Sequence, residues 1–336
     1  MRSVYIAFPA PGKVELQEEA VSRPRPDEIL CAAEKSLISI GTESYCLQGR
    51  FDPGANWESW VRYPFRPGYS MAGRVVAVGR DVTSFKEGDR IMAWTPHQQL
   101  FKLPAQKAYP IPDNISSEEA TWAALACTTQ LGVRRAAFQL GETVGLIGLG
   151  MLGQLVVQYL WLSGARHIIA MDPIESRLEV ARAHGATHTL ALDVKSARAE
   201  IASLTSDKML DAVFDITGHP AVLAPAIGLL RRLGRVILLG DTPTPSEQRL
   251  GPGVVSNSIA ILGIHGTMSP AHASEFNPWT TAEMTALFFD YLSQGRMRVA
   301  DLITHRYAPA AAPDLYQGLL EDRSSTLGNI FDWSLL

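Results

Sequence analysis

The sequence contains little cysteine, no long apolar run and no large excess of charge. Its only cysteines are Cys31, Cys46 and Cys127, too few and too scattered for a disulfide framework. No apolar signal core opens the chain and no run of eighteen apolar residues occurs, so we expect neither a secretory leader nor a membrane-spanning helix. The net charge is −4, which indicates no basic surface for nucleic acid or membrane. These absences predict a soluble cytoplasmic protein.

The 336 residues exceed the size at which one hydrophobic core usually keeps growing, so two domains are expected. Up to about residue 115 the chain is rich in β-branched residues, proline and glycine, which predicts a mostly antiparallel, barrel-like β region. From about residue 117 strands alternate with helix-length segments, which predicts a doubly wound parallel sheet. We place one domain at 1–118 and 267–336 and the other at 119–266.

A glycine-rich turn follows a predicted strand in Val144–Gly153, which reads Gly-x-Gly-x-x-Gly at Gly148, Gly150 and Gly153. The first glycine suits a tight turn, the second a close approach of pyrophosphate, and the third close packing of helix on strand. The amides of Met151 and Leu152 would then open the following helix toward the phosphates. A purely structural glycine turn is the alternative. The motif predicts dinucleotide binding.

Asp172 ends the next predicted strand about 20 residues later, where an acid binds the adenosine ribose. A carboxylate there accepts from both ribose hydroxyls of NAD and repels the 2′-phosphate of NADP. Arg177 could stack on adenine, contact a phosphate or be a solvated helix charge. We therefore expect NAD as cofactor, with NADP the less favoured alternative.

An ordered set of landmarks resembles the medium-chain dehydrogenase/reductase superfamily along nearly the whole chain. They are Gly41-Thr42-Glu43, Pro67-Gly68-Tyr69-Ser70, Glu87–Ile91, Arg235–Gly240 and Leu262–Gly266. The resemblance implies an α/β protein with a GroES-like β-barrel catalytic domain and a Rossmann domain. The elements around residues 38–43 and 67–70 are similar to those of bacteriochlorophyllide hydroxyethyl dehydrogenases.

The zinc ligands of that superfamily are missing at each matching position. The places of its cysteine, its histidine and its third ligand hold Ile40, Tyr69 and Ala124, none of them a usual zinc ligand. The four-cysteine structural lobe is also absent. An alternative site from Cys46, His97 and Cys127 has no ligand-like spacing. We expect no zinc.

Hydride transfer without a metal still requires a proton donor or acceptor at the substrate oxygen. The resemblance makes Thr42 the first candidate, with a turn residue as the alternative, and Tyr69 the second, with simple filling of the vacated metal space as its alternative. Glu43 would anchor Tyr69 or a water, act as base, or be a solvated acid. His97 is a proton relay or a structural loop histidine.

The resemblance places three further positions at the nicotinamide, namely Thr128, Gly240 and His265. Helix packing is the alternative for Thr128, and His265 is expected to act through its backbone rather than its ring. Four aromatic residues in presumed loops are candidates for the substrate pocket wall or for ordinary packing, namely Trp57, Trp60, Trp94 and Trp279.

The sequence thus predicts a zinc-independent, NAD-preferring alcohol dehydrogenase or ketone reductase. Its substrate is expected to be a secondary alcohol on a polar or cyclic small molecule. Two alternatives stay open: a reductase of activated C=C bonds like the zinc-free quinone reductases, and an NAD-binding sensor without catalysis. The edge-strand resemblance of Ile259–Ile264 predicts a homodimer or homotetramer.

Overall fold

Fifteen β-strands and ten α-helices make up the regular structure of the computed structural model, which describes residues 1–336. None of the helices combines the length and hydrophobicity needed to cross a bilayer. The strands are β1 Arg2–Ala7, β2 Glu15–Ala20, β3 Glu28–Ile38, β4 Met71–Val78, β5 Arg90–Ala93, β6 Leu100–Pro104, β7 Ala108–Pro110, β8 Thr143–Ile147, β9 His167–Met171, β10 His188–Leu190, β11 Leu210–Asp215, β12 Leu230–Leu238, β13 Ala260–Gly263, β14 Ile303–Tyr307 and β15 Gly328–Asp332. The helices are α1 Ile40–Gln48, α2 Asn56–Trp60, α3 Ser117–Ala120, α4 Ala123–Arg135, α5 Met151–Leu162, α6 Glu175–Ala183, α7 Ala197–Leu204, α8 Leu223–Ile227, α9 Thr281–Ser293 and α10 Ala312–Glu321.

The chain forms two units whose boundaries fall inside α4 and α9. Unit 1 contains residues 1–50, 56–124 and 285–336, and unit 2 contains residues 51–55 and 125–284. Residues 267–284, which the sequence analysis assigned to the first domain, thus belong to unit 2. Hydrogen bonds explain this, because Cys127 Sγ donates to the carbonyl of Thr281 and Gln130 Nε2 donates to that of Met284.

Unit 1 is built on a mainly antiparallel sheet in the order β14-β15-β3-β4-β5-β7, with β6 also paired to β3. Only β14 and β15 run parallel. The eleven-residue strand β3 is central, and both of its ends carry buried residues. The segment after β3 turns directly into α1, where residues 36–40 and Glu43 are buried, Thr42 is half-buried and Gly41 is exposed.

Unit 2 holds a six-stranded parallel sheet in the order β10-β9-β8-β11-β12-β13. The chain builds outward from β8 to β10 and then returns to β11. The order therefore reverses between β8 and β11, and in open parallel sheets the crevice at such a reversal is where ligands bind. Buried aliphatic residues from β8, β9, β11 and β12 pack with α7 and α8 in its core. This confirms the predicted doubly wound sheet.

Ser116 and Glu119 cap the short helix α3 with a reciprocal pair of hydrogen bonds. Ser116 Oγ accepts from the amide of Glu119, and the Glu119 carboxylate accepts from the amide of Ser116. The chain leaves the helical conformation at residues 121–122 and resumes it as α4.

Candidate functional site

Three hydroxyl groups meet at the N-terminus of α1 in unit 1. Tyr69 Oη donates to Ser39 Oγ over 2.7 Å, and Thr42 provides a second side-chain hydrogen bond to the same phenol. Ser39 is the residue immediately before α1, and its hydroxyl does not cap that helix. Thr42 lies three residues further on, within the first turn, so both hydroxyls are on the same side of the helix start. The resulting cluster has Tyr69 at its centre.

The environment of Tyr69 keeps its phenol protonated. Burial raises the pKa of Tyr69 to about 12, and the negative charge of Glu43 acts in the same direction, while the hydrogen bonds with Ser39 and Thr42 act in the opposite one. At neutral pH the group is therefore a hydrogen-bond donor. It can stabilise a developing alkoxide without itself carrying charge in the resting protein.

Glu43 is almost fully buried and is held by three donors. Its Oε1 accepts from the amide of Ser39 over 2.7 Å, which closes the first turn of α1 on itself. Its Oε2 accepts from the hydroxyl of Tyr316 and lies 3.1 Å from His97 Nε2. The alternative of a solvated turn acid does not describe this side chain, because no part of the carboxylate faces bulk water.

His97 is fully buried, and both ring nitrogens have protein partners. Nδ1 lies 2.8 Å from Ser36 Oγ, and Ser36 Oγ also accepts from the indole N–H of Trp333 over 2.9 Å. The imidazole packs against Gly68, where a Cβ atom would come within 2.6 Å of the ring. His97 thus belongs to the same interior network as Glu43 and is not an exposed loop residue.

The residues of unit 1 do not fit a tetrahedral zinc site. Ile40 and Ala124 are buried apolar side chains, and no three His, Cys, Asp or Glu side chains are arranged to hold a metal ion. The nitrogens of His97 are engaged as described. Burial raises the pKa of the Cys46 thiol, and the nearby negative charge of Glu43 raises it further, the reverse of what a metal-binding thiolate needs.

The predicted pocket tryptophans separate into three settings. Trp94 lies beside Tyr69 with ring centroids 6.5 Å apart. Trp57 and Trp60 contact each other 5.8 Å apart and form a cluster with Tyr45 and Phe65, also in unit 1. Trp279 belongs to unit 2, where the guanidinium of Arg134 stacks on its ring at 3.3 Å. Trp94 is thus the one of the four with a ring contact to Tyr69 in the hydroxyl cluster.

In unit 2 the glycine-rich turn has the geometry that its sequence predicts. Gly148 has φ of +93°, which a residue with a Cβ rarely adopts. A Cβ on Gly153 would lie 2.2 Å from the carbonyl oxygen of Gly148, so only glycine permits this helix–strand approach. A Cβ on Gly150 would meet nothing within 4 Å, and no side chain caps the N-terminus of α5. The open space and free amides fit a dinucleotide pyrophosphate.

Asp172 follows β9 directly and is nearly buried against the glycine-rich turn. Its Oδ2 accepts from the amide of Leu149 over 2.8 Å, and its Oδ1 accepts from the amide of Ile174 over 2.9 Å. The guanidinium of Arg177 lies 3.9 Å from Oδ2. Each carboxylate oxygen has a further lone pair for a ribose hydroxyl, so the residues present fit an adenosine ribose.

Two of the three predicted nicotinamide residues of unit 2, Thr128 and His265, lie near one another. A Cβ on Gly266 would come within 2.3 Å of Thr128 Oγ1, so Thr128 packs on the backbone beside His265. The His265 ring is exposed, and its Nδ1 lies 2.8 Å from Thr267 Oγ1. Gly240 follows β12 and is packed so tightly that a Cβ would lie 2.4 Å from the amide of Gly218.

Sequence reasoning missed four members of the unit 1 network. Three of them, Ser36, Tyr316 and Trp333, carried no signal, since long-range partners leave no spacing pattern. Ser39 could have been found, because it precedes a predicted site residue by three positions, the separation that brings side chains together on one face of a helix start.

Two family patterns match the chain in order. Residues 37–113 match the alcohol dehydrogenase GroES-like domain, and residues 152–282 match the zinc-binding dehydrogenase family. These regions correspond to parts of unit 1 and unit 2 respectively.

Individual relatives agree with these matches. The chain is 28% identical over 302 residues to a sorbitol dehydrogenase of Bacillus subtilis, covering 80% of each chain. It is 26% identical to a D-guloside 3-dehydrogenase of Escherichia coli, covering 75% of this chain and 73% of the relative. The crystal structure of 2R,3R-butanediol dehydrogenase from Bacillus subtilis shares the fold, with a TM-score of 0.80 at 18% identity over 98% of this chain and 99% of the other.

Proposed function

Because the chain belongs to the medium-chain dehydrogenase/reductase superfamily of oxidoreductases, we propose that it is a zinc-independent, NAD-preferring dehydrogenase. The reaction interconverts a secondary alcohol and a ketone on a polar or cyclic small molecule, such as a sugar, a polyol or a hydroxylated ring. The observation that carries the proposal is the hydroxyl cluster of Tyr69, Ser39 and Thr42, which stands where the zinc enzymes of this superfamily bind their metal.

The reaction moves a hydride and a proton separately. The glycine-rich turn and Asp172 would hold NAD, which would supply a hydride acceptor for alcohol oxidation and, as NADH, a hydride donor for ketone reduction. Residues of unit 1 exchange the proton with the substrate oxygen. In ketone reduction the Tyr69 O–H turns from Ser39 to the substrate carbonyl and gives its proton to the developing alkoxide, and the phenolate recovers a proton from solvent through the hydroxyl of Ser39 or Thr42. In alcohol oxidation the same path runs in reverse.

The hydroxyl cluster takes over the role that a Lewis acid has in the zinc enzymes. A metal lowers the energy of the alkoxide by direct coordination, whereas Tyr69 and Thr42 do so by hydrogen bonding in a partly desolvated site. Glu43 does not supply this proton in our proposal. Its link to the cluster passes through the backbone amide of Ser39, which cannot relay a proton.

NAD is preferred in this proposal because of the position of Asp172. Its carboxylate is fixed by the amides of Leu149 and Ile174, so it cannot easily turn away from a bound ribose. A 2′-phosphate at that place would meet a fixed negative charge. The guanidinium of Arg177 lies 3.9 Å from Oδ2 of Asp172, and it partly neutralises the negative charge that a 2′-phosphate would meet there.

The proposed substrate class follows from the relatives and from the aromatic side chain beside Tyr69. Two relatives are named for a polyol and for a sugar derivative, sorbitol and D-guloside. In this chain Trp94 provides an aromatic face beside Tyr69, and its indole N–H is buried without a protein acceptor. Ring stacking and an unpaired donor suit a hydroxylated ligand better than a plain hydrocarbon alcohol.

The test is NADH formation from a panel of sugars, polyols and hydroxylated rings, with reduction of ketones and enones measured in parallel. We expect turnover of hydroxylated substrates and their ketones. Reduction of enones alone would favour the C=C reductase, against which the cofactor preference counts. Tight NAD binding without turnover of any compound would favour a sensor.

A further inference from the structure

The buried carboxylate of Glu43 joins distant parts of unit 1 to the hydroxyl cluster. Oε2 accepts from Tyr316 on α10, and Oε1 accepts from the amide of Ser39 at the start of α1. Ser39 in turn accepts from Tyr69 through its side chain. A single carboxylate therefore fixes the backbone of the residue that orients the phenol.

The donors around this carboxylate can be assigned from their chemistry. The indole of Trp333 can only donate, so Ser36 Oγ accepts from it, and the same oxygen lies 2.8 Å from His97 Nδ1. A carboxylate oxygen can only accept, so His97 Nε2 donates to Glu43 Oε2. Every bond in the chain Trp333, Ser36, His97, Glu43 is made by this arrangement, and Tyr316 donates to the same end.

This network of hydrogen bonds can position residues, but it has no part in proton transfer. The series from Trp333 leads to Glu43, and only a backbone N–H connects Glu43 to the hydroxyl cluster. The network therefore cannot pass a proton to Tyr69, but it can hold Ser39 in place. The position of Ser39 matters because it sets that of Tyr69, and displacing a reacting group by about 1 Å can lower the rate roughly 100-fold.

We propose that Tyr316 is a positioning residue, which acts through Glu43 and Ser39 to hold the Tyr69 hydroxyl toward the substrate oxygen. This inference rests on the proposed function, in which Tyr69 donates to that oxygen. Tyr316 lies on α10, far from α1 in sequence, and it would influence the reaction without contacting the substrate.

The test is a double-mutant cycle of Tyr316→Phe and Tyr69→Phe, with kcat, KM for NAD and thermal stability measured for each variant. Tyr316→Phe keeps the ring and removes one donor to Glu43. In the wild-type background we expect kcat to fall about 10- to 100-fold with KM for NAD unchanged. In the Tyr69→Phe background we expect kcat to change by no more than about twofold, because the hydroxyl to be positioned is already gone.

Tyr63→Phe is the matched control. Its hydroxyl donates to the carbonyl of Cys46, also on α1, but does not contact Glu43. It should leave kcat near the wild-type value. Trp333→Phe removes the donor at the other end of the chain and should show the same dependence on Tyr69 if Tyr316→Phe does not fold.

The outcomes separate the two proposals. If Tyr69→Phe alone leaves kcat unchanged, the proposed proton donor is wrong. If Tyr69→Phe lowers kcat but Tyr316→Phe does not, or if the two losses multiply, Tyr316 has a structural role only and the inference is overturned.

Discussion

The carboxylate of Asp172 accepts a 2.8 Å hydrogen bond from the amide of Leu149, the residue between the first two glycines of the dinucleotide turn. The acid that would bind ribose is therefore fixed by the loop that would bind pyrophosphate. Two short motifs that are 23 residues apart in sequence thus form one preorganised surface in unit 2. The proposed preference for NAD therefore rests on the folded turn rather than on one flexible side chain.

The first prediction concerns cofactor choice. NAD(H) should bind at least about tenfold more tightly than NADP(H), because Asp172 accepts from ribose hydroxyls and repels a 2′-phosphate. Asp172→Asn keeps the size and removes the charge, so it should bring the two affinities closer. Glu175→Gln, which removes an exposed charge nearby on α6, is the control and should not. Fluorescence titration with both cofactors measures this, and equal affinities in the wild type would show that Arg177 dominates.

The second prediction concerns the proton donors. Tyr69→Phe and Thr42→Val each keep approximate volume and remove one hydroxyl, and each should lower kcat. The loss of one positioned oxyanion donor typically costs about 10²–10³ in turnover. Cofactor affinity should stay unchanged, since both residues lie in unit 1. Near wild-type kcat in both variants would rule out the hydroxyl cluster as the catalytic group.

Features set by residues close together in sequence could be predicted, whereas contacts between residues far apart in sequence could not. The parallel sheet and the glycine-rich turn follow local patterns, so Gly148, Gly153 and Asp172 were all placed correctly in the fold. The family resemblance located Tyr69 and Thr42 side by side. The partners of Glu43 could not be predicted, because Tyr316 lies 273 residues away and a buried hydrogen bond leaves no periodic trace. His97 does lie in a loop, as expected, but its complete burial against Gly68 and Phe331 comes from tertiary packing that no local pattern shows.

The third prediction is the pH dependence of the two directions. A phenol whose pKa is raised to about 12 is almost fully protonated at neutral pH, and its deprotonated fraction grows as the pH rises toward that pKa. Ketone reduction, which needs the protonated form, should be nearly constant between pH 6 and 10 as far as this group is concerned. Alcohol oxidation, which needs the deprotonated form, should rise about tenfold per pH unit over the same range. The slope should vanish in Tyr69→Phe, and a slope that persists there would assign the proton to another group.

The fourth prediction is that activity does not depend on zinc. Ile40, Tyr69 and Ala124 provide no usual ligand, and the Cys46 thiol has a raised pKa. Metal analysis of the purified protein should find far less than one zinc per chain, and a chelator should not reduce turnover. About one tightly bound zinc per chain, with activity lost on chelation, would contradict the proposal.

The last prediction is a homodimer formed along β13. This strand ends the parallel sheet of unit 2, and its only partner within the chain is β12, so its outer edge has no strand beside it. An apolar sheet edge is usually covered by a partner or blunted by charge, and Ala260–Gly263 carries no charged residue. Light scattering at micromolar concentration should therefore give twice the 36.6 kDa of one chain, or a higher multiple. Ala260→Lys places a charge on the exposed edge and should shift the protein toward monomer, whereas Leu140→Lys, an equally drastic change at an exposed site before β8, should not. A monomeric wild type under these conditions would be enough to reject the dimer.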